Sequence, residues 1–473
     1  MTKTFEHEYK QVFEKVQKVH INNLIKSKNK KIYWFGLSST QLIYYIAYLI
    51  FRTKNKKYHK RINLLMNDFE KRIDKKNFKR NSIKSIYFFI KNFINSISLN
   101  YKKNIYLLGN TDREIDAYKK ENLLVLKKID PWIRINLKKN SYFEKDEFFE
   151  NSLNLYIKDL IKVFKIKKKN IKGIEIKLKK KFYFFYNCYC QMILLYQNQS
   201  FDLISSKHVF IWNRIFLGAL NYLGNFKTIT VNHGLSGITN MKPDFIDDGV
   251  FIGEYQLLTT RHYLKNYKNI FKELKFSRKL KPIFLKKNPI FNIQEKKFRP
   301  IIREKKINQK EKLIILGYPK TIQPNVNSPY QTISLSTKLE INLIDCLNKK
   351  YDVYYNSHPD RKEETKKLFK NIPNVLYEKY EDIYKEFDIS FFTYHRSTAF
   401  GFALLKGVPC VMIYNKESEM TNLTRNYLSK RVSFINTVTT NKPSIIFDKK
   451  KIFSSVEKSK KLSNFDLIKK LKN

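Results

Sequence analysis

Residues 388–409 read DISFFTYHRSTAFGFALLKGVP, and their pattern decides the fold. An apolar run of strand length comes first, followed by a polar stretch that ends in Ser397 and Thr398, residue types that begin helices. A helical apolar pattern comes next, and Gly407 then turns the chain toward a second apolar run. A strand, a helix and another strand in this order predict parallel strands in an α/β domain.

The same alternation recurs along the chain. The predicted strands are Lys31–Phe35, Asn104–Leu108, His208–Trp212, Lys227–Asn232, Gly249–Ile252, Lys312–Leu316, Tyr351–Asn356, Ile389–Phe392 and Pro409–Ile413. The predicted helices among them are Gln41–Phe51, Phe216–Leu223, Ser336–Asn348, Arg361–Phe369 and Phe400–Lys406. This pattern indicates an α/β fold with two Rossmann-like domains, in which ligands bind at the carboxyl edges of the sheets.

The domain boundary is predicted from a polar, charged segment at residues 296–310, which is typical of a linker. We therefore expect an N-terminal domain in residues 1–295 and a C-terminal domain in residues 311–473. Residues 53–102 and 140–182 have lysine-rich helical patterns and predict helical insertions in the first domain.

The N-terminal segment raises the question of a membrane. Residues 1–30 predict an amphipathic helix whose apolar stripe packs in a core, although attachment to an anionic membrane surface stays open. Ile32–Phe51 carries no charge over 20 residues, which is long enough to span a bilayer. Because the cluster Gly36–Gln41 interrupts this run, we favour a strand, a turn and a helix.

The formal net charge of +51 invites a nucleic-acid function. However, the excess comes from 78 Lys against 15 Arg, and only 5 Ala are present, a profile that an AT-rich genome produces in any protein. Nucleic-acid binders favour Arg, whose planar fork matches phosphate and guanine edges. We therefore expect no specific nucleic-acid partner.

Several kinds of site are absent from the sequence. There is no G-x-G-x-x-G, no G-K-[ST] and no D-x-D motif, so the sequence lacks a dinucleotide fingerprint, a Walker loop and a metal-bridged diphosphate site of those kinds. The 4 Cys do not have zinc-ligand spacing. We expect no metal and no cofactor.

Three short motifs carry candidate chemistry. Residues 232–234 are Asn-His-Gly after an apolar run, which places His233 at a strand end where an imidazole could accept a proton from a hydroxyl, or could simply hydrogen-bond the turn. Residues 357–360 are Ser-His-Pro-Asp, where His358 could contact an anion beside a helix start that has Asp360 near it, or could be incidental to an ordinary N-cap. Ser397 and Thr398 could bind an anion with the free N–H groups of their helix, or only cap it.

The order of these motifs, His-Gly, His-Pro and Ser-Thr…Gly-x-Pro, resembles bacterial surface-carbohydrate transferases of the GT-B fold. That group includes the capsule Kdo and sialic-acid transferases and the CDP-glycerol glycerophosphotransferases. Residues 250–254 (VFIGE) and 287–292 (KNPIFN) look like the strand and the turn that follow the His-Gly loop there. The resemblance covers about residues 205–415 and implies two Rossmann-like domains facing a cleft.

The resemblance also implies roles for individual residues. His233 would be the catalytic base, with Asp247 of an Asp-Asp-Gly sequence as the less favoured alternative because it precedes a predicted strand. The donor phosphate and nucleotide would contact His358, Pro359, Ser397, Thr398 and Gly317. Asn232, Gly234, Gly36 and Ser38 are assigned to the acceptor side.

Two positions depart from the family pattern. Asn232 stands where the family usually has Gln, and Phe402 stands where an acidic residue is usual in the helix after Ser-Thr. The second departure puts an acidic contact to the donor's ribose in doubt.

By the resemblance, the chain would transfer a sugar from a nucleotide-sugar donor, expected to be CMP-activated, to a glycan or lipid-linked glycan in surface-polysaccharide synthesis. It would act without metal in the cytoplasm, with peripheral contact at the inner face of the membrane left open. A polyol-phosphate transferase, a UDP-sugar 2-epimerase, a nucleic-acid-binding protein and a scaffold without catalysis remain as alternatives.

Overall fold

A computed structural model describes residues 5–55, 58–59, 62–63, 66–67, 70, 104–109, 113–129, 131, 146–206, 211–231, 252–258, 261–273, 281–285, 310–318, 333–394, 397–415, 422–439 and 445–466. These residues form two sheets in chain order, each with helices between its strands.

The first sheet is entirely parallel, with the order β2-β1-β3-β4-β5-β6. Its strands are β1 (Asn104–Leu108), β2 (Val125–Lys128), β3 (Asp202–Ser205), β4 (Lys227–Val231), β5 (Tyr255–Leu258) and β6 (Lys281–Phe284). Because β2 and β3 lie on opposite sides of β1, the sheet changes its winding direction between β1 and β3, as in doubly wound folds.

Eight helices of the described N-terminal half accompany this sheet. They are α1 (Phe5–His20), α2 (Lys30–Ser38), α3 (Leu42–Lys54), α4 (Arg113–Glu121), α5 (Glu147–Phe164), α6 (Lys168–Tyr196), α7 (Ile211–Leu223) and α8 (Arg261–Glu273), and a π-helical turn, Ile21–Ile25, extends α1. Helices α1–α3 and α5–α7 share one large core, so the helical part is a packed layer and not a set of loose appendages.

The second sheet has the order β13-β12-β11-β10-β7-β8-β9, and only the β12–β13 pair is antiparallel. Its strands are β7 (Lys312–Leu316), β8 (Asp352–Asn356), β9 (Val375–Leu376), β10 (Ile389–Phe392), β11 (Cys410–Asn415), β12 (Ser433–Thr439) and β13 (Ile445–Phe447). The winding changes direction between β7 and β10, because β8 and β10 flank β7. Ligands of such sheets bind at this switch point.

The helices of the second half are α9 (Ile333–Leu347), α10 (Lys362–Leu368), α11 (Tyr380–Ile383), α12 (Thr398–Leu405), α13 (Asn422–Leu428) and α14 (Lys449–Leu462). Two apolar clusters form the core of this half. The predicted fold class, α/β with two Rossmann-like domains as in GT-B proteins and additional helices in the first, is confirmed. The domain boundary stays a prediction, because residues 296–309 lie outside the described part of the chain.

The predicted strand Lys31–Phe35 is wrong, because these residues belong to helix α2. The Asn29 side chain caps the helix by accepting hydrogen bonds from the backbone N–H groups of Lys31 and Ile32, at 2.9 and 3.1 Å. An apolar run buried on several sides lacks the periodicity that separates a helix from a strand. Gly36 therefore closes no strand, and a Cβ there would lie 2.8 Å from Leu24 Cβ.

One further strand prediction needs correction, and another lies mostly outside the described residues. Ile211 and Trp212, the described end of the predicted strand His208–Trp212, begin helix α7 instead. Of the predicted strand Gly249–Ile252 only Ile252 is described, and it lies in no strand; the next strand is β5. The other predicted strands match β1, β4, β7, β8, β10 and β11 to within about two residues over their described parts.

The apolar stripe of the N-terminal helix is buried, with Tyr9, Val12, Phe13, Val16 and Val19 in the large core. The side chains at residues 42–51 in α3 are also all buried in the protein. Among the described helices, none combines the length and the apolar character that crossing a bilayer requires.

Candidate functional site

His358 lies two residues after strand β8, at the carboxyl edge of the second sheet. It is the N-cap of a 3₁₀ turn, Pro359–Arg361, and its Nδ1 accepts a hydrogen bond from the backbone N–H of Asp360 at 3.3 Å. Pro359 fits the first position of this turn because its missing N–H would have no partner there. His358 is thus the N-cap of this turn.

Burial and the capping bond together determine where the His358 ring carries its proton. Burial lowers the pKa of His358, the charge of Asp360 opposes this, and the charge of Arg361 adds to the lowering, so the imidazole is neutral near pH 7. Because Nδ1 accepts a bond, the single proton of the neutral ring is on Nε2. The side chain is 34% exposed, so His358 can both cap the turn and donate a hydrogen bond from Nε2 to a ligand.

A buried ion pair between Arg361 and Glu340 supports this turn. Arg361 Nη1 donates to Glu340 Oε2 at 3.0 Å, and Glu340 also accepts bonds from the Tyr318 N–H at 2.8 Å and the Tyr355 hydroxyl at 3.1 Å. Thr337 Oγ1 accepts a further bond from Arg361 Nη2 at 2.8 Å. Burial raises the pKa of the Glu340 carboxyl, and the neighbouring Arg361 opposes that rise. The network joins α9, the end of β7 and the His358 turn.

Gly317 directly follows β7, and its N–H donates to the Asn356 carbonyl at the end of β8, at 3.0 Å. A Cβ at this position would lie 2.3 Å from the Tyr355 hydroxyl and 3.2 Å from the Asn356 carbonyl oxygen. Glycine is therefore required for the close approach of the two strand ends.

Ser397 is the N-cap of helix α12, and Thr398 is its first residue. The Ser397 side chain makes no capping hydrogen bond, although its carbonyl accepts from the N–H groups of Phe400 and Gly401 at 3.1 and 3.2 Å. A half-buried hydroxyl that does not cap is available to a ligand, together with the free N–H groups and the partial positive charge of the helix start.

These residues share one edge of the sheet. Gly317 follows β7, His358 follows β8, and Ser397 and Thr398 follow β10, and β7 lies between β8 and β10. The three strands that precede these groups are therefore neighbours, about 4.8 Å apart from one strand to the next. The edge coincides with the switch point of the sheet, where ligands bind.

Phe402 occupies the position where the resembled family usually has an acidic residue, and its side chain points into the core. It is 8% exposed, and its ring packs edge-on against Tyr380 and Tyr384 at 6.2 and 5.1 Å between centroids. Phe402 therefore provides packing for α12 and no polar contact to a ribose.

The catalytic-base and acceptor-side assignments divide into two groups. His233, Asp247, Asn232 and Gly234 lie outside the described residues, which include β4 as far as Val231, and their roles stay predictions. Gly36 and Ser38 are buried within helix α2, where Ser38 Oγ donates to the Trp34 carbonyl at 2.7 Å and faces Gly218 of α7. The expectation that Gly36 closes a strand and Ser38 lies in the turn after it is wrong, because both residues belong to helix α2.

Glu340 and Arg361 were not predicted as part of the site. Each lies in a predicted helix, where a charged residue usually marks the solvent face. Within the described residues, no three His, Cys, Asp or Glu side chains are grouped as a metal site requires. Cys188, Cys346 and Cys410 are buried free thiols, and burial raises the pKa of Cys410 to about 11.

Comparisons with known proteins do not identify the chain. No protein-family model matches it, and no curated protein matches its sequence. One similar solved structure is that of a candidate UDP-N-acetylglucosamine 2-epimerase from Listeria monocytogenes, with 10% identity, a TM-score of 0.37, and coverage of 79% of this chain and 92% of the other. At these values the likeness supports no conclusion about this chain.

Proposed function

We propose that the chain is an enzyme that acts on a nucleotide-activated sugar and binds the phosphate of that donor at the carboxyl edge of the second sheet. The observation that carries this proposal is the convergence of Gly317, His358 and the start of α12 on three adjacent strand ends. A neutral imidazole, a free hydroxyl and a helix start together suit an anionic phosphate.

The reaction that the sequence motifs favour is transfer of a sugar to a hydroxyl acceptor. In that reaction the bond between the sugar and the donor phosphate breaks, and negative charge grows on the leaving phosphate. Nε2–H of His358 and the N–H groups at the start of α12 would stabilise that charge, and because they are held in place beforehand they need no reorganisation. His233, or Asp247 in its place, would accept the proton from the acceptor hydroxyl.

The finer assignments come from the family resemblance alone. They are a CMP-activated donor, a glycan or lipid-linked glycan acceptor of surface polysaccharide, a reaction without metal, and a cytoplasmic enzyme in peripheral contact with the membrane. A polyol-phosphate transferase would use the same phosphate site.

A UDP-sugar 2-epimerase is the second candidate. The same phosphate site would serve it, and the solved structure described above carries that name, although its likeness is too low to argue from. The two reactions differ in their requirement for an acceptor, because an epimerase converts its nucleotide sugar without one. Product analysis of each nucleotide sugar with no acceptor present distinguishes them.

The first experiment is a thermal-shift panel of CMP, CDP, UDP, GDP and their sugars. A ligand that binds only the folded chain raises its melting temperature, so stabilisation by one base would identify the donor. If none of these nucleotides stabilises the chain, the proposal fails.

The second experiment compares His358→Ala with His358→Asn. Asparagine is a good N-cap residue and keeps the capping bond, whereas alanine removes it. Neither residue provides an imidazole Nε2–H. Both variants should lose turnover with the identified donor, while His358→Asn keeps the melting temperature of the parent. Full turnover in His358→Asn would remove His358 from the mechanism.

A further inference from the structure

Helices α5 and α6 form a hairpin with an unusual concentration of lysine at its tip. Helix α5 ends at Phe164, Lys165 adopts a left-handed conformation (φ 47°, ψ 53°), and α6 begins at Lys168. Residues 158–181 contain 11 Lys and 2 acidic residues, or nearly one lysine in two, against about one in six for the whole chain. The excess therefore goes beyond the lysine bias of the sequence.

The hairpin displays this charge to solvent. The lysines in it that are exposed are Lys158, Lys162, Lys165, Lys167, Lys168, Lys169, Lys172, Lys177 and Lys180. Both acidic side chains of this segment have partners: Asp159 accepts a hydrogen bond from Asn23 Nδ2 at 3.0 Å, and Glu175 pairs with Lys179 at 2.9 Å. The exposed lysines thus create a strongly positive surface.

Large apolar side chains are also exposed on the hairpin. Val163 and Ile176, among the lysines, are 44% and 57% exposed, and Phe148 and Leu155, nearer the start of α5, are 69% and 54% exposed. On α5, Phe148 and Leu155 are two turns apart, and Lys162 continues the same stripe by another two turns. The opposite face of α5 is buried in the large core, so these apolar side chains lie on the outer face of the hairpin.

The position of the lysines is unfavourable for the helix itself. Lys167 is the N-cap of α6, Lys168 and Lys169 follow in its first turn, and that turn contains no acidic residue. Cations near a helix N-terminus oppose the helix dipole. The chain therefore keeps positive charge at a place where it weakens α6, which is expected when the charge serves binding rather than stability.

We propose that the hairpin surface, defined by the nine exposed lysines and the four exposed apolar side chains named above, docks on a lipid bilayer with anionic headgroups. Lysines near such a surface are attracted to it electrostatically, and interleaved apolar side chains enter the boundary between headgroups and acyl chains. Nucleic acid is the less favoured occupant, because residues 147–196 contain no Arg and three of the four exposed apolar side chains are aliphatic and cannot stack on bases. The inference is independent of the reaction proposed above.

The test uses the full chain and vesicle flotation. Vesicles of phosphatidylcholine alone are compared with vesicles that also contain phosphatidylglycerol, at low and at physiological salt. The chain should bind only the anionic vesicles, and the triple variant Lys168→Glu/Lys169→Glu/Lys172→Glu should bind them at least about tenfold more weakly. Its melting temperature should be unchanged or higher, because acidic residues now occupy the first turn of α6.

The matched control is the variant Lys449→Glu/Lys450→Glu/Lys458→Glu, which reverses the charge of three exposed lysines of α14. This variant has the same net charge as the hairpin variant and should bind anionic vesicles nearly as well as the parent. An equal loss in both variants would show attraction by net charge alone and would overturn the assigned surface.

Two further measurements separate the alternatives. Ile176→Ser keeps every lysine and should weaken vesicle binding, because the aliphatic side chain that enters the bilayer is lost. Unchanged binding would show that apolar side chains do not contribute to docking. Binding of single-stranded and duplex DNA is measured at the same salt to test nucleic acid as the alternative occupant. Binding of DNA through the hairpin lysines without binding of vesicles would overturn the proposal.

Discussion

Arg361 and Glu340 form an ion pair that is almost fully removed from solvent, with 1% and 0% of their side chains exposed and 3.0 Å between Nη1 and Oε2. The pair joins the 3₁₀ turn that carries His358 to helix α9, and through the Tyr318 N–H it also reaches the residue after Gly317. Two parts of the candidate phosphate site are therefore held by one buried interaction.

Breaking this pair should be costly. In Arg361→Met the Glu340 carboxylate stays buried without its counter-charge, and we expect the free energy of unfolding to fall by about 3–5 kcal/mol. The double variant Glu340→Gln/Arg361→Met leaves no buried charge and should be less destabilised than the single variant. Urea unfolding measures both.

The control for this prediction is Lys366→Met, which removes an exposed pair with Glu363 at 3.1 Å on the neighbouring helix α10. Exposed pairs contribute about 0–1 kcal/mol. If Arg361→Met and Lys366→Met cost the same, the pair does not hold the site.

The contact between α2 and α7 depends on Gly218. A Cβ there would lie 1.9 Å from Ser38 Oγ and 3.1 Å from the Trp34 carbonyl oxygen. Gly218→Ala should therefore destabilise the chain by about 1–3 kcal/mol, and adding Ser38→Ala should recover part of the loss. Gly173, in helix α6, has open space around its would-be Cβ, so Gly173→Ala should gain about 0.5–1 kcal/mol. Destabilisation of equal size at both glycines would contradict the packing argument.

The sequence predicted the second half of the chain better than the first. Strands β7, β8, β10 and β11 are short apolar runs; Gly317 and Ser357 follow the first two and Pro409 precedes the last, so most of their bounds are visible in the sequence. Helix α2 is different, because its residues contact the π-helical turn and helix α7 on different sides. Burial on several sides removes the periodic pattern on which a prediction depends.

One signal for the missed ion pair was present in the composition. In a chain with 15 Arg and 78 Lys, the largest fully buried side chains include Arg214, Arg361 and Arg431. Arg431 Nη2 donates to the carbonyls of Ala403 and Val408, and Arg214 Nη1 donates to Thr40 Oγ1 at 2.8 Å. A planar group with several donors satisfies partners that a lysine cannot. Scarce Arg, like scarce Gly, thus marks structural need, whereas the partner Glu340 is not recognisable from its sequence neighbours.

Ser397 should matter for binding and not for stability. Its side chain makes no capping bond, so Ser397→Ala should change the free energy of unfolding by less than about 0.5 kcal/mol while weakening the nucleotide found in the thermal-shift panel. Asn29 is the matched cap, since its side chain accepts two backbone bonds at the start of α2. Asn29→Ala should cost about 1 kcal/mol and leave nucleotide affinity unchanged. The opposite pattern would assign Ser397 to the fold.

His20 should make the helical layer sensitive to acid. Its ring is fully buried against Tyr156 and Phe182, and neutral Nε2–H donates to the Gly36 carbonyl at 2.9 Å, while Nδ1 has no hydrogen-bond partner. Burial lowers the pKa of His20 from 6.5 to about 4, and the bond to Gly36 opposes that shift. Protonation of the folded chain would place a second N–H among apolar side chains, where it has no acceptor.

The sign of the effect follows from that pKa. Between its unfolded pKa of 6.5 and its folded pKa of about 4, His20 binds a proton more readily in the unfolded chain, so acid favours unfolding. The stability that neutral His20 contributes is complete above pH 6.5 and falls by about 3 kcal/mol as the pH approaches 4. His20→Gln can still donate to Gly36 but cannot titrate, so it should be less stable at neutral pH and have a flatter pH profile. Burial also lowers the pKa of His358, and this adds the same acid sensitivity to the parent and to His20→Gln. The difference between the pH profiles of their urea unfolding therefore reports on His20 alone. Parallel profiles for the parent and His20→Gln would show that His20 is not the group that titrates.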